Sequence, residues 1–226
     1  DYTLNTNMVK DENGNWIDNF DLKIMDLTYY QISNYSIESL KPGSGYSDRF
    51  KNQKSVEGAK IPKLIDLFKL ANKENYKDVF LNLEVKSNPN LNDVTPEPKE
   101  MVTTILKDIK DYNLEDRIVV TSFDWRILYE LKKQNPNVLR GFLTLQQNLG
   151  STKKNIYENS PWINKEFSME ELFLLPNIIK SIEGHVWSAF YRDITKQNIE
   201  LAHKQGLAVN VWTVNREQDI IRMIEY

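Results

Sequence analysis

The chain has 226 residues, 40% hydrophobic and 11% aromatic, enough to bury a sizeable core in one large domain or two small ones. Its 29 basic and 32 acidic residues give a net charge of −3 and are scattered, with no basic stretch interleaved with aromatics, which argues against a nucleic-acid partner. The absence of cysteine excludes a disulfide framework and a thiolate zinc site, so a bound metal must use oxygen or imidazole, the latter only from His185 and His203. No apolar run approaches the roughly 18 residues of a membrane span, so no transmembrane segment is expected. The first residue is Asp1 rather than methionine. Location stays open, with the cell envelope favoured over the cytoplasm, because a signal peptide could have preceded Asp1.

Residues 1–60 are rich in Asn, Asp, Gly and Tyr, with one short helix expected near 27–33 and a turn at Pro42-Gly43. A stretch that long and irregular within a compact domain is usually an active-site lid or insertion. Tyr46, in Gly43-Ser44-Gly45-Tyr46, is the residue there expected to reach a site. Ile61-Pro62-Lys63-Leu64 opens a helix, with the proline near its first turn, where a missing amide donor costs nothing.

From residue 79 onward short β-branched runs alternate with helical stretches, the order of parallel βα units. Strands are expected at 79–87, 117–123, 139–146, 184–190 and 207–214. Helices are expected at 98–112, 124–134, 168–181, 195–205 and from 215 to the end, with Gly206 closing the fourth. A second insertion spans 148–167. The fold class is therefore α/β, a TIM (β/α)8-type barrel that is incomplete, since a full barrel needs about 250 residues. The whole of 1–226 reads as one partial barrel domain.

Successive side chains of a strand face opposite ways, so Val79, Leu81, Leu83 and Val85 share one face and Phe80, Asn82, Glu84 and Lys86 the other. The polar row is expected to project inside the barrel, at the carboxyl end where barrel active sites lie. An internal Glu84–Lys86 ion pair is the bland alternative. Thr144 with Gln146, and Asn210 with Trp212, are read as further rows aimed at the same interior.

These residues carry a resemblance. Leu81-Asn82-Leu83-Glu84-Val85-Lys86 resembles the Glu-x-Lys strand of glycerophosphodiester phosphodiesterases, Thr121-Ser122-Phe123-Asp124 their Ser-Phe-Asp segment, and Val211-Trp212-Thr213-Val214-Asn215 their Trp-Thr-Val-Asn segment. Ile61-Pro62-Lys63-Leu64 and His203-Lys204-Gln205-Gly206-Leu207 are similar to the family's Ile-Pro-Thr-Leu entry and Ala-His-x-x-Gly stretch, in the same order. The resemblance implies a metal-dependent hydrolase that cleaves small-molecule glycerophosphodiesters to glycerol 3-phosphate and an alcohol, in glycerophospholipid metabolism. It implies that Glu84 is one of three carboxylates on a single Ca²⁺ or Mg²⁺ and that Lys86 offsets charge on the phosphate. Trp212 is expected to wall the glycerol or head group, with Phe123 and Gln146 as further lining. His185 and His203 match no catalytic histidine of the pattern and are read as structural. The family's His-Arg-Gly strand, Glu-x-Asp strand, second histidine and final Asp-Gly-Ile-Ile-Thr-Asp strand have no counterpart, and Asp1-Tyr2-Thr3-Leu4 resembles the tail of the His-Asp element. Strands one, two and eight are accordingly expected to be missing, and this stretch alone to be inactive. Two other functions stand beside this one: a non-catalytic binding domain on a decayed barrel, and a related phospholipase acting on lysophospholipids.

An isolated sheet of this kind exposes unpaired edges, so residues 1–226 alone are expected to self-associate or aggregate. A monodisperse, fully folded monomer on size-exclusion chromatography would count against this.

Overall fold

The computed structural model describes residues 2–91, 93–150 and 152–226. The chain forms two compact units, the first running to Tyr76 with a short return segment ending at Pro96, the second comprising Lys77–Leu91 and Glu97–Tyr226.

The first unit is built from turns, isolated antiparallel bridges such as Thr3 with Lys23 and Lys10 with Ser36, and three short helices. Helix α1 (Tyr29–Ser33) opens with a reciprocal cap between Thr28 and Gln31, within the expected 27–33. The expected turn at Pro42-Gly43 is present, and helix α2 (Gly45–Arg49), not expected, follows it because Ser44 is an N-cap whose hydroxyl accepts from the Ser47 amide. Helix α3 (Leu64–Ala71) begins after Lys63, whose backbone is extended, so Pro62 lies ahead of the cap rather than in the first turn. Its effect is the same, since it withholds a donor where no helical bond exists.

The second unit holds five parallel strands in the order β1 (Leu81–Glu84), β2 (Ile118–Ser122), β3 (Leu139–Thr144), β4 (Val186–Phe190) and β5 (Ala208–Trp212). Between and after them come α4 (Pro98–Asp111), α5 (Trp125–Gln134), α6 (Met169–Leu172), α7 (Leu175–Ser181), α8 (Lys196–Lys204) and α9 (Glu217–Glu225). Pro98 opens α4 and Gly206, at φ +74°, follows α8, as their sequences require. The single helix expected over 168–181 is two helices. Pro176 cannot donate to a preceding turn, and it stands in the first turn of α7, leaving α6 to end at Leu172.

One face of the sheet is a dry core. Ile118 and Val120 of β2, Phe142 of β3 and Trp187 of β4 are almost fully buried, as are Trp125, Leu128 and Leu131 of α5. The Trp125 and Phe142 rings meet edge to face at 4.9 Å. Thr144 belongs to this face, which corrects the expectation of an interior Thr144–Gln146 row. Its Oγ1 accepts at 2.9 Å from the Trp187 indole N–H, which would otherwise be buried unpaired. Leu143 takes the opposite face instead. There Gly141 leaves essential room, because a Cβ would stand 2.5 Å from Thr121 Cγ2.

At the amino ends of the strands, Arg140 is buried and donates to the carbonyls of Pro136 (2.8 Å), Val138 (3.0 Å) and Glu183 (2.8 Å). His185, half-buried beside it, accepts the Arg140 amide on Nδ1 at 3.2 Å. Its structural reading is thus supported by its contacts. Burial, then the neighbouring charges of Arg140 and Lys180, hold the His185 pKa below the ordinary histidine value, Glu183 opposing them. A base with a depressed native pKa binds its proton more tightly in the unfolded chain. Its contribution to stability is therefore complete above the unfolded value, about 6.5, and is lost as pH falls through the lower folded value. The urea midpoint should fall as pH drops from about 7.5 to about 5.5, and His185→Gln should flatten that fall.

Candidate functional site

The other face of the sheet curves around a concavity of about 480 Å³ lying wholly in the second unit. From β1 and its extension come Asn82, Glu84 and Lys86, and from β2 and its end Thr121 and Phe123. Leu143, Ser188, Asn210, Val211 and Trp212 complete the strand contribution, and Leu149 and Thr152 reach in from the loop after β3. Strand alternation explains the set apart from Val211, at the end of β5. Parallel register places Glu84 beside Thr121, and a second row runs from Leu143 through Ser188 to Asn210. Lys86, Phe123 and Trp212 stand at or just past strand carboxyl ends.

The strand β1 alternation is as expected, with Leu81 and Leu83 partly covered and Asn82 and Glu84 open. The polar row is not enclosed, however. Lys86 Nζ and Glu84 Oε1 pair at 2.8 Å with side chains 43% and 37% exposed. An ion pair that open contributes only about 0–1 kcal/mol, so stability gives little reason for it. Next to it, Thr121 Oγ1 donates to Asn82 Oδ1 at 3.0 Å.

Trp212 combines both roles open to a tryptophan. It packs edge-on to Phe123 at 5.3 Å and against Phe190 at 5.1 Å, and its indole N–H donates to the Ser188 carbonyl at 3.2 Å. Its remaining surface lines the concavity. Gln146 does not line it. Past the end of β3, its amide is held by Asp193 Oδ2 at 2.8 Å, while the Gln147 side chain takes Asp193 Oδ1 at 2.7 Å. Tyr46 lies in the first unit and lines a different concavity, with Tyr2, Asn5 and Phe20. His203 is exposed on α8.

Sequence reasoning missed the residues that hold this end of the sheet together. Asp124 is fully buried. It accepts the Ser87 hydroxyl at 2.6 Å and three bonds from the Arg126 guanidinium, the shortest at 2.7 Å, and it caps α5 through the Arg126 amide. One carboxylate thus joins the end of β1 to the start of α5. Asn155, 2% exposed in the irregular 148–167 stretch, accepts the Leu145 amide at 2.7 Å and donates to the carbonyls of Leu143 (2.9 Å) and Phe123 (3.2 Å). An asparagine in a loop carries no local signal for such a role, because its partners lie on two strand ends far along the chain.

Glu84 is the carboxylate among the residues lining the concavity, and the described residues contain no group of three or more potential metal ligands. Calcium takes six to eight oxygens and magnesium near-ideal octahedra, so these side chains, with one carboxylate among them, would hold a cation only together with further ligands.

The five-stranded parallel α/β sheet, curled around a polar concavity at its strand carboxyl ends, matches half of a TIM-type barrel. The family model for the glycerophosphoryl diester phosphodiesterase family matches residues 3–226, and the chain belongs to that family. A curated glycerophosphodiester phosphodiesterase from Caldanaerobacter subterraneus subsp. tengcongensis is 28% identical over 197 residues, 86% of this chain. The match spans 65% of that relative's length, a little under two thirds. A crystal structure assigned as a glycerophosphoryl diester phosphodiesterase from Silicibacter pomeroyi superposes with a TM-score of 0.81 at 29% identity, covering 100% of this chain and 70% of the other. An Oleispira antarctica phosphodiesterase in complex with the product sn-glycerol-3-phosphate shares the fold at a TM-score of 0.59 and 15% identity, over 90% of this chain and 65% of that one.

Asn155→Ala should lower unfolding free energy by about 1–3 kcal/mol in urea titration, because the buried Leu145 amide loses its side-chain acceptor.

Proposed function

We propose that the protein hydrolyses glycerophosphodiesters, such as deacylated phospholipids, to glycerol 3-phosphate and an alcohol, with one Ca²⁺ or Mg²⁺ as cofactor. The observation that carries this reading is the pairing of Glu84 with Lys86 at the mouth of one polar concavity, at the carboxyl ends of a sheet whose family is that of glycerophosphoryl diester phosphodiesterases. The product bound by the Oleispira antarctica relative is of the same chemical class.

In this reading Lys86 Nζ, already at the concavity and only half-covered, turns toward the phosphate and offsets the negative charge that grows on its oxygens as the P–O bond breaks. The Glu84 carboxylate holds that ammonium in the free protein and would supply one of the hard oxygen ligands of a cation, which would serve as Lewis acid. Trp212 and Phe123, locked edge to face, give the organic part of the substrate a rigid apolar wall and exclude water from one side. No helix among the described residues is long and apolar enough to cross a membrane, and the substrate class itself is a small water-soluble diester.

The test is release of glycerol 3-phosphate from glycerophosphocholine by the complete polypeptide, with Ca²⁺ or Mg²⁺ and with chelator. Glu84→Ala and Lys86→Ala should each lower kcat/KM by about 10²-fold or more. Activity that survives both Glu84→Ala and chelation overturns the reading. Ligand binding with no turnover by the unaltered polypeptide would instead favour a non-catalytic domain, and release of a fatty-acyl product from intact lysophospholipid a phospholipase.

A further inference from the structure

The first unit holds a concavity of its own, of about 330 Å³, lined by residues 2–7, Phe20 and Tyr46. Backbone bonds bring these three segments together. Residues 2–4 pair with 22–24, through the Leu4 amide on the Leu22 carbonyl (3.0 Å) and the Ile24 amide on the Tyr2 carbonyl (2.9 Å). Just ahead of that pairing, Phe20 stands in a turn that Asn19 closes by accepting the Asp21 amide on Oδ1 at 2.8 Å. On the other side the Lys41 amide donates to the Asn7 carbonyl at 2.8 Å, and the Lys41 carbonyl accepts the amide of Ser44, the cap of the helix that bears Tyr46. The main chain thus holds the concavity open without using its side chains.

Those side chains are of two kinds. Tyr2, Phe20 and Tyr46 are aromatic, and Phe20 is 72% exposed. A lone exposed phenylalanine needs no explanation, but this one shares its concavity with two tyrosines. The polar residues are short and uncharged. Asn5 Oδ1 accepts the Asn7 amide at 2.9 Å, which fixes the Asn5 side chain and leaves its Nδ2 without a described partner. The Asn7 carboxamide and the Tyr46 hydroxyl also make no hydrogen bond to a described residue. Among the described residues that line the concavity there is no Lys, Arg, His, Asp or Glu, in a chain whose charged residues make up 27%. A phosphate, carboxylate or ammonium would find no countercharge on these side chains. An uncharged ring bearing several hydroxyls suits both kinds of lining. Its C–H faces pack on aromatic rings, and its hydroxyls, each donor and acceptor, match carboxamides that offer both functions in one plane.

We propose that this concavity binds an uncharged polyhydroxylated ring, a monosaccharide or cyclic polyol, which packs on Phe20 and Tyr46 and is hydrogen-bonded by Asn5 and Asn7. It shares no residue with the concavity of Glu84 and Lys86, and it stands independently of the glycerophosphodiester reading. Such a ring has two possible sources, a free or chain-terminal sugar and the head group of a polyol-bearing phosphodiester.

The test is saturation-transfer NMR and calorimetric titration of the complete polypeptide with glucose, N-acetylglucosamine, myo-inositol and glycerophosphoinositol. At least one of the neutral rings should bind. Phe20→Ala should weaken that binding about tenfold and Asn7→Ala about fivefold, from the loss of one packed ring face and of one hydrogen bond. Phe20 is exposed and the Asn7 side chain holds no described bond, so the thermal midpoint should stay in place in both variants. Glu84→Ala should leave the binding unaltered, and inorganic phosphate should not compete with it. Glycerophosphoinositol binding more tightly than myo-inositol marks the head group as the source, and the reverse order, or a preference for either sugar, marks a saccharide. Failure of every neutral ring to bind, binding that either Phe20→Ala or Asn7→Ala leaves intact, or binding lost in Glu84→Ala overturns the assignment. Product release from glycerophosphocholine is measured separately, so the phosphodiesterase reading stands or falls on its own.

Discussion

The arrangement of the site depends on a buried hydrogen bond that never touches it. Trp187 contributes the largest side chain on the helix-facing side of β4, and its indole N–H must find an acceptor there or carry a desolvation cost. Thr144 on the adjacent strand provides it. With Thr144 and Trp187 turned toward the helices, alternation obliges Leu143 and Ser188 to face the other way, and register carries the choice to Asn210 on β5. A slip of one residue would reverse every one of these side chains. The packing of Phe142 against Trp125 and the space kept by Gly141 enforce the same choice on β3.

Much of this was legible in the sequence. The β-branched runs located all five strands, and the caps and prolines bounded most helices, because these signals are local. The Glu84, Lys86 and Trp212 side chains could be aimed at one interior from strand period, and Phe123 from the family resemblance. Thr144 was misjudged for a physical reason: a polar residue in a buried strand can point toward a functional interior or toward a buried tryptophan, and composition does not distinguish the two. Gln146 was carried along by the same error, since it continued a row that β3 does not have. Asn155, Asp124 and Asp193 escaped notice because each works through partners distant in the chain.

These three residues do related jobs at one end of the sheet. Asp124 ties the segment after β1 to the start of α5, Asp193 ties the segment after β4 to that after β3, and Asn155 ties the long loop to the ends of β2 and β3. Each uses a side chain to satisfy groups left over where regular pairing stops, the place where backbone donors and acceptors would otherwise go unmatched. The strand ends near Lys86 and Phe123 are thereby fixed by polar bonds, while the apolar core fixes the strands themselves.

The Asn155 tether also divides the loop after β3 into two stretches with different freedom to change. From Asn155 onward the chain is bound inward, through the Asn155 bonds, the Ser160 hydroxyl on the Asn155 carbonyl, and the Trp162 carbonyl that receives the Trp125 amide. Between Gln147, which Asp193 holds, and the tether, Leu149 and Thr152 line the concavity. Substitution of Leu149 or Thr152 therefore redraws that wall of the concavity without disturbing the bonds that hold the strand ends. The wall of the concavity and the core beneath it can thus change independently.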